Sequence, residues 1–458
     1  MSKVSLAKGT RDFGPEEMRN RNYIFNTLAS VFQQFGFSQI ETPAMENLDT
    51  LMGKYGEEGD SLLFKILDSG DFLSSLKTKH PSLLLEELSS SSASFEIASK
   101  GLRYDLTVPF ARFVSMNRHR INLPFRRFQM QPVWRADRPQ KGRYREFWQC
   151  DADSIGSDSL LNESDLLLIL NQGFTSLGIQ DAVIHLNNRK VLEGITEVIG
   201  AASGFREWTV VLDKFDKIGQ EGVVKEWLAK GFSQEQVEAS LPFLALSGLT
   251  NEALASWEEK LQTSKIGMEG IAELKALHAY LQAAGFSGNI LLDGTLARGL
   301  SYYTGCIMEV KVPSSGMGSV AAGGRYDNLT GIFGVPGLSG VGISFGADRI
   351  YDLMETRKLF PESTKESCAV LFCCMGEEEI LYALPLASAL REQQISCKIY
   401  PKAGKLKKQL EYANAEKIAF VVIIGEEERA QQTVTIKDLQ QGVQSTIPQH
   451  QLIQHIKQ

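Results

Sequence analysis

The chain has 458 residues, of which 43% are apolar and 22% charged, close to the soluble globular average. Its 48 basic and 55 acidic side chains leave a net charge of −7, which excludes a wholly basic nucleic-acid coat protein but leaves room for a local basic groove. No apolar run approaches the roughly 18 residues of a membrane span, and residues 1–8 carry no apolar signal core.

Length alone suggests about three domains, or two with a large insertion. The six cysteines form no CxxC pair and no Cys/His ligand spacing, so neither zinc nor a disulfide framework is expected. Cys150 and Cys306 read as core thiols, and the whole fits a reducing cytoplasm.

In chain order, residues 15–36 predict an amphipathic helix, with Ile24, Leu28, Val31, Phe32 and Phe35 at helical spacing. Pro15 suits its first turn and Gly36 its end. Residues 37–43 follow as a short strand stopped by Pro43. The segment 61–100, with four serines at 89–92, gives no clear pattern. Residues 128–134 alternate like a strand, 160–177 predict a leucine-rich helix, and 182–186 a strand. Residues 190–280 are mostly helical in pattern, with a Ser233–Gln236 capping box. Strands return at 290–292, 307–312 and 341–345. A polar linker at 355–367 precedes strand 369–373, helix 377–394, strand 396–400, helix 405–414 and strand 418–424. That alternation predicts a small α/β domain with a largely parallel sheet.

Two motif matches lead nowhere. Gly342-Ile-Ser-Phe-Gly346 fits the serine nucleophile pattern, with Asp438 and His450 following in hydrolase order, but no oxyanion motif accompanies it. Its glycines are read as allowing close backbone packing. Gly316-Met-Gly318 imitates a dinucleotide fingerprint without a helix pattern behind it. Residues 126–145 are more informative: Arg126, Arg127, Arg135, Arg138, Lys141, Arg143 and Arg145 face one acid, Asp137. A solvated surface mixes signs, so this stretch should meet phosphate, either in a nucleotide site or on an RNA backbone. Pro139–Gly142 reads as a hairpin loop between two strands.

Further on, Arg298 precedes the pair Tyr302 and Tyr303, which suit either a side-chain pocket or the core. Gly323 and Gly324 would let backbone approach a ligand. Arg349 falls in the first turn of a helix starting near Gly346, where it can face an anion.

Taken together, these segments resemble the histidyl-tRNA synthetase family of class II aminoacyl-tRNA synthetases. The resemblance rests on Lys8-Gly-Thr-Arg-Asp-Phe-Gly-Pro15, the helix–strand unit ending at Pro43 (motif 1), and Leu102-Arg-Tyr-Asp-Leu-Thr-Val-Pro109. It continues through Val133–Phe147 (motif 2), the two histidine-enzyme signatures Leu296–Gly305 and Gly323-Gly-Arg-Tyr-Asp327, and Gly346–Arg349 (motif 3). It spans nearly the whole chain.

The resemblance implies an α+β fold: a class II antiparallel sheet flanked by helices, a helical insertion, and a C-terminal α/β anticodon-binding domain. The corresponding boundaries are 1–189 and 281–355 for the catalytic domain, 190–280 for the insertion and 368–458 for the anticodon-binding domain. It implies ATP-dependent activation of L-histidine and transfer to tRNA(His), with Mg²⁺, in a cytoplasmic homodimer formed through motif 1. Arg298 and Arg135 would be catalytic. Asp105, Thr107, Arg135, Gln149, Asp153, Arg298, Tyr302 and Tyr303 would bind histidine; Arg135, Asp137, Arg143 and Arg349 would bind ATP. The signature usually has an aspartate where this chain has Ser301. Lys402, Lys405, Lys407 and Lys408 form a basic patch that suits either solvent or RNA. The alternatives weighed are a catalytically idle paralogue, such as the synthetase-like regulatory subunit of ATP phosphoribosyltransferase, and a serine hydrolase through Ser344.

Overall fold

Strand-forming residues in period-2 alternation build the frame of the larger part of the chain. The computed structural model describes residues 4–71, 74, 78, 97–297, 302–313, 315–364 and 368–457. Arg298, Ser301 and most of the 72–96 stretch therefore lie outside the described residues. The chain divides into two units, one of residues 1–11 and 24–359, the other of 12–23 and 360–458.

In the larger unit the strands are β1 (Ser38–Gln39), β2 (Met45–Asn47), β3 (Lys65–Ile66), β4 (Lys100–Leu102), β5 (Phe125–Trp134) and β6 (Glu146–Ile155). They are followed by β7 (Val183–Asn188), β8 (Leu246–Gly248), β9 (Asn289–Asp293), β10 (Cys306–Lys311), β11 (Ala321–Tyr326) and β12 (Gly340–Gly346). Nine of them form one sheet in the order β1-β5-β6-β12-β11-β10-β7-β9-β8. It is antiparallel except where β1 meets β5 and β7 meets β9. The strand expected at 37–43 shrinks to two paired residues, because Thr42 and Pro43 instead serve a buried arginine: Arg103 Nη1 donates to both carbonyls, at 2.7 and 3.2 Å.

The two faces of this sheet differ in chemistry. On one, Phe128, Cys150, Ala152, Ile343 and Phe345 point at helices α1 (Pro15–Gln34) and α3 (Leu161–Ser176), with α2 (Thr107–Asn117) lying between these two in chain order only. Phe32 of α1 meets Phe128 and Phe345 at 5.4 and 5.9 Å between ring centres, and Phe174 of α3 meets Phe345 at 5.3 Å. Burying each such ring contributes about 2–3 kcal/mol. On the other face the alternate residues are polar: Arg127 and Gln129 of β5, Gln149, Asp151 and Asp153 of β6, and Ser344 of β12. All but Ser344 are buried. A buried polar sheet face is costly unless something polar completes it.

Residues 189–283 are largely helical. Helix α4 (Arg189–Val198) is capped by Asn188, whose side chain accepts from Lys190 N at 2.9 Å. It packs on α5 (Lys265–Ala283) through Gly194 against Gly267. Trp208 and Trp227 stack at 5.1 Å, and the Ser233–Gln236 capping box forms. β8 is a strand that the helical pattern hides, and it extends the large sheet beside β9. β11 is also not expected, since its Ala-Ala-Gly-Gly sequence lacks strand-forming side chains. Helix α6 (Ala347–Arg357) leaves β12 directly, with Gly346 as its N-cap.

The smaller unit carries β13 (Val370–Cys374), β14 (Cys397–Ile399), β15 (Phe420–Ile424), β16 (Thr433–Asp438) and β17 (Gln444–Pro448), in the order β14-β13-β15-β16-β17. β13, β14 and β15 are parallel; β16 and β17 form an antiparallel hairpin beyond the last strand expected from the sequence. Helix α7 (Glu377–Glu392) covers one face with Ala383, Ala387 and Leu390. Helix α8 (Leu406–Ala415) covers the other through Ala413.

Candidate active site

The polar sheet face opens into a cleft lined by Thr107, Asp151, Asp153, Tyr302, Tyr303, Tyr326 and Ser344 among others. Its floor depends on small residues. At Gly342 an added Cβ would collide with the Asp153 carboxylate, and at Gly324 it would lie 2.8 Å from the Tyr303 ring. Gly342 of the failed hydrolase motif thus makes room for a neighbouring acid, and Ser344 lies within strand β12, not on a strand-to-helix elbow.

Asp153 is the most heavily held group. Arg127 Nη2 sits 2.8 Å from its Oδ2, with both side chains almost without solvent contact, and Tyr326 donates to Oδ1 at 2.5 Å. Burial pushes the carboxyl up from its ordinary range, and Arg127 opposes that shift. Burial first, then the Asp153 charge, holds the Tyr326 hydroxyl well above the usual tyrosine value, so it stays a donor. Arg127 also donates to the Leu106 carbonyl at 3.2 Å and lies over the Phe110 ring at 4.4 Å.

Asp105 precedes α2 and accepts from Val108 N and Tyr55 Oη, both at 3.1 Å. Burial raises its pKa, while the Val108 N–H and Arg135 pull it back. Tyr55 stacks near Tyr104 at 4.6 Å, and Tyr302 stands between Tyr303 and Tyr326, at 5.0 and 6.3 Å. Gln149 Nε2 donates to Ser344 Oγ at 2.8 Å. The structure therefore brings Thr107, Asp153, Tyr302 and Tyr303 to one cleft, with Gln149 bonded to its lining residue Ser344. Asp105 is close enough to Asp153 and Tyr302 to perturb both electrostatically.

The basic groups sit on the β5–β6 hairpin, whose loop closes through a Gln140–Arg143 bridge. Arg135 donates Nε to the Tyr104 carbonyl at 3.1 Å, and its guanidinium lies 4.2 Å from the Tyr104 ring and 5.2 Å from the Phe147 ring. Two aromatic faces and a backbone anchor fix its direction. Arg143 is exposed and 3.6 Å from Asp137. Arg349, in the first turn of α6, donates to the carbonyls of Gly142 and Ser319 at 2.8 and 2.6 Å, which ties it to the hairpin loop.

An N-terminal strap supports this side. Arg11 Nη2 and Nη1 reach Asp348 and Asp352 of α6 at 2.8 and 2.9 Å, and its guanidinium covers the Tyr144 ring at 4.1 Å. The Tyr144 hydroxyl donates to Asp352 at 2.8 Å.

Sequence reasoning missed Asp151 and Tyr326, counted Arg127 only as part of the basic stretch, and weighed Ser344 only as a hydrolase nucleophile. A signal for the acids exists: Gln149, Asp151 and Asp153 alternate with Cys150 and Ala152, a polar stripe on a strand whose other side is core. Arg325, inside the second signature, faces away from the cleft. Its Nε and Nη2 bind both oxygens of buried Glu163 at 2.5 and 2.6 Å on the helix-covered face.

An antiparallel sheet of this kind, with an arginine-bearing hairpin over a polar floor, is the class II aminoacyl-tRNA synthetase architecture. The histidyl-tRNA synthetase family model matches residues 9–76 and 98–350, and the anticodon binding domain model matches 368–458. The histidine–tRNA ligase of Porphyromonas gingivalis strain W83 is 51% identical over 98% of both chains. That of Phocaeicola vulgatus is 49% identical over 100% of this chain and 99% of its own. The crystal structure of histidyl-tRNA synthetase from Nostoc sp. PCC 7120 superposes with a TM-score of 0.83 at 28% identity, covering 100% and 99%. The chain belongs to the histidyl-tRNA synthetase family.

Proposed function

We propose that this enzyme activates L-histidine with ATP to histidyl-adenylate and transfers it to tRNA(His), releasing pyrophosphate and then AMP. The observation that supports this reading most is the juxtaposition, over one sheet face, of buried carboxylates (Asp105, Asp153) with an anchored arginine (Arg135). A zwitterionic amino acid needs both, and so does a carboxylate attacking a phosphate.

Asp105, Thr107 and Gln149 are assigned to the ammonium, and Asp153 with Tyr302 and Tyr303 to the imidazole. Arg135 takes the histidine carboxylate or the α-phosphate, Asp137 the adenine amino group, and Arg143 and Arg349 the outer phosphates. Arg349 would exchange its two carbonyl partners for phosphate oxygens. Arg298 is assigned the charge that develops on the α-phosphate as the carboxylate oxygen attacks phosphorus and pyrophosphate leaves. In the second step a terminal ribose hydroxyl of the tRNA attacks the adenylate carbonyl. Mg²⁺ would be held by the triphosphate oxygens, there being no cluster of three or more metal-ligating side chains among the described residues, and would supply neutralisation of phosphate charge. Polar groups that pair with the imidazole nitrogens would be stranded by another amino acid, which gives discrimination of roughly 10⁴-fold without editing.

Residues 190–280 are assigned as an insertion between catalytic segments 1–189 and 281–355. Residues 368–458 are assigned to the anticodon, with Lys402, Lys405, Lys407 and Lys408 toward RNA. The motif 1 segment ending at Pro43 is assigned to a homodimer contact, and the enzyme to the cytoplasm where translation proceeds. No described helix is long and apolar enough to cross a membrane.

ATP–pyrophosphate exchange against all twenty amino acids tests the reading. Exchange with histidine alone is expected; none with any amino acid, in folded protein with Mg²⁺, overturns it.

A further inference from the structure

The two arginines assigned to the outer phosphates stand on separate pieces of backbone. Arg143 is on the loop between β5 and β6, and Arg349 is in the first turn of α6. The bonds that orient Arg349 run to the carbonyls of Gly142 and Ser319. Those are the bonds a phosphate must replace. The Arg143 side chain is 48% exposed, with Asp137 3.6 Å away. Once a triphosphate is in place, neither arginine is left to hold the loop to the helix.

A second set of bonds survives that exchange, and it starts from the N-terminal strap. Arg11 Nη1 donates to the Tyr144 hydroxyl at 3.0 Å and to Asp352 at 2.9 Å, and its Nη2 donates to Asp348 at 2.8 Å. One guanidinium thus joins residue 144, beside Arg143, to residue 348, beside Arg349. Tyr144 Oη closes the ring by donating to the other Asp352 oxygen at 2.8 Å. The other Asp348 oxygen accepts from Trp148 N of β6 at 2.7 Å. Gly9 adds a backbone tie, its carbonyl accepting from Arg145 N at 2.8 Å. A Cβ on Gly9 would lie 2.8 Å from Arg145 and 2.9 Å from Pro139, so the strap touches both arms of the loop. Its φ of +86° is one that glycine adopts without strain.

Charge adds to position. Asp348 and Asp352 are buried one helical turn apart, directly beside Arg349. Like charges at that spacing repel each other, and both would oppose an arriving triphosphate. Arg11 neutralises them from the side away from the loop's own arginine.

We propose that Gly9, Arg11 and Tyr144 are positioning residues for ATP. The strap keeps the 139–145 loop docked on α6, so Arg143 and Arg349 hold their spacing when Arg349 leaves its carbonyl partners for phosphate oxygens. The proposal rests on the assignment of those two arginines to the outer phosphates.

The test is ATP–pyrophosphate exchange by the full-length enzyme, with KM measured separately for ATP, pyrophosphate and histidine. A hydrogen bond to a charged group is worth about 10- to 100-fold in affinity. Folded Arg11→Ala should therefore raise the KM for ATP and for pyrophosphate together, by about tenfold or more, with the KM for histidine within about threefold. Tyr144→Phe keeps the ring beneath the guanidinium and loses only the hydroxyl. It should raise both values about threefold or more, and it carries the test if Arg11→Ala does not fold. Gly9→Ala leaves every charge in place and should raise them as well, which separates position from charge. A merely structural strap would lower kcat or the melting temperature with all three KM values unmoved. An unchanged KM for ATP in any of these folded variants, or an equal rise for histidine, overturns the proposal. Arg349→Ala with an unaltered KM for ATP overturns the underlying phosphate assignment instead.

Discussion

Gly342→Ala isolates the cleft floor with a single methyl group. Gly342 needs no left-handed backbone, so alanine is conformationally permitted and the collision with Asp153 outweighs a tighter contact with the Ala152 carbonyl at 3.2 Å. To regain ordinary contact the carboxylate must retreat by about 1 Å or more. Its bonds to Arg127 and Tyr326 now measure 2.8 and 2.5 Å. A retreat of that size carries them to or beyond the limit of a hydrogen bond. Breaking a buried pair of this kind costs about 3–5 kcal/mol. Misplacing a substrate-orienting group by 1 Å costs about 10²-fold in rate. The variant should therefore lose at least 10²-fold in kcat/KM for histidine in ATP–pyrophosphate exchange, with the KM for ATP changed less than threefold. Folded Gly342→Ala enzyme with an unaltered histidine kcat/KM would refute the role given to Asp153.

Three further outcomes are expected. Glu163→Gln leaves Arg325 as a buried cation with its carboxylate gone, and should lower the urea-unfolding free energy by about 3–5 kcal/mol. Because that pair lies on the helix-covered face, histidine affinity in the folded variant should stay within threefold. Arg11→Ala strips the fork that joins Asp348 and Asp352, costing about 2–4 kcal/mol by thermal or urea unfolding, and Arg11→Lys should recover less than half, since an ammonium cannot span both carboxylates as a fork. Asp151 carries a folded pKa of about 7, above its ordinary carboxyl value, so its contribution to stability is complete below about pH 4 and is lost as pH rises through 7. Asp151→Asn should accordingly gain on the wild type by a few kcal/mol between pH 5 and pH 8; parallel urea midpoints at the two pH values would contradict that sign.

Much of the architecture was legible because its elements announce themselves by period. The helix at Pro15–Gln34, the β5–β6 hairpin and the α/β alternation after residue 369 all follow from spacing and turn chemistry. What escaped was built from residues with weak local preference. β11 is glycine-rich because Gly324 must make way for Tyr303, a tertiary demand that no window of sequence displays. β8 is three residues long and depends on β9 for its pairing. In the cleft, the basic loop was legible as charge density. Arg127 was counted there among the basic residues, yet its partner Asp153 is 26 positions away in sequence and meets it only through strand register. Arg325 shows the same dependence on register: it stands inside a signature, yet strand alternation turns it to Glu163.

That alternation has a bearing on how such a chain can vary. In β5, β6 and β12, substrate-facing and core-facing residues take turns along the same strand. A substitution disturbs one face at one place. An inserted or deleted residue would exchange the faces for the rest of the strand, setting Phe128 and Phe345 toward the substrate and Asp151 and Asp153 into hydrocarbon. Length changes in these three strands should thus abolish folding and catalysis together. The tolerated ones should be confined to the connections between strands.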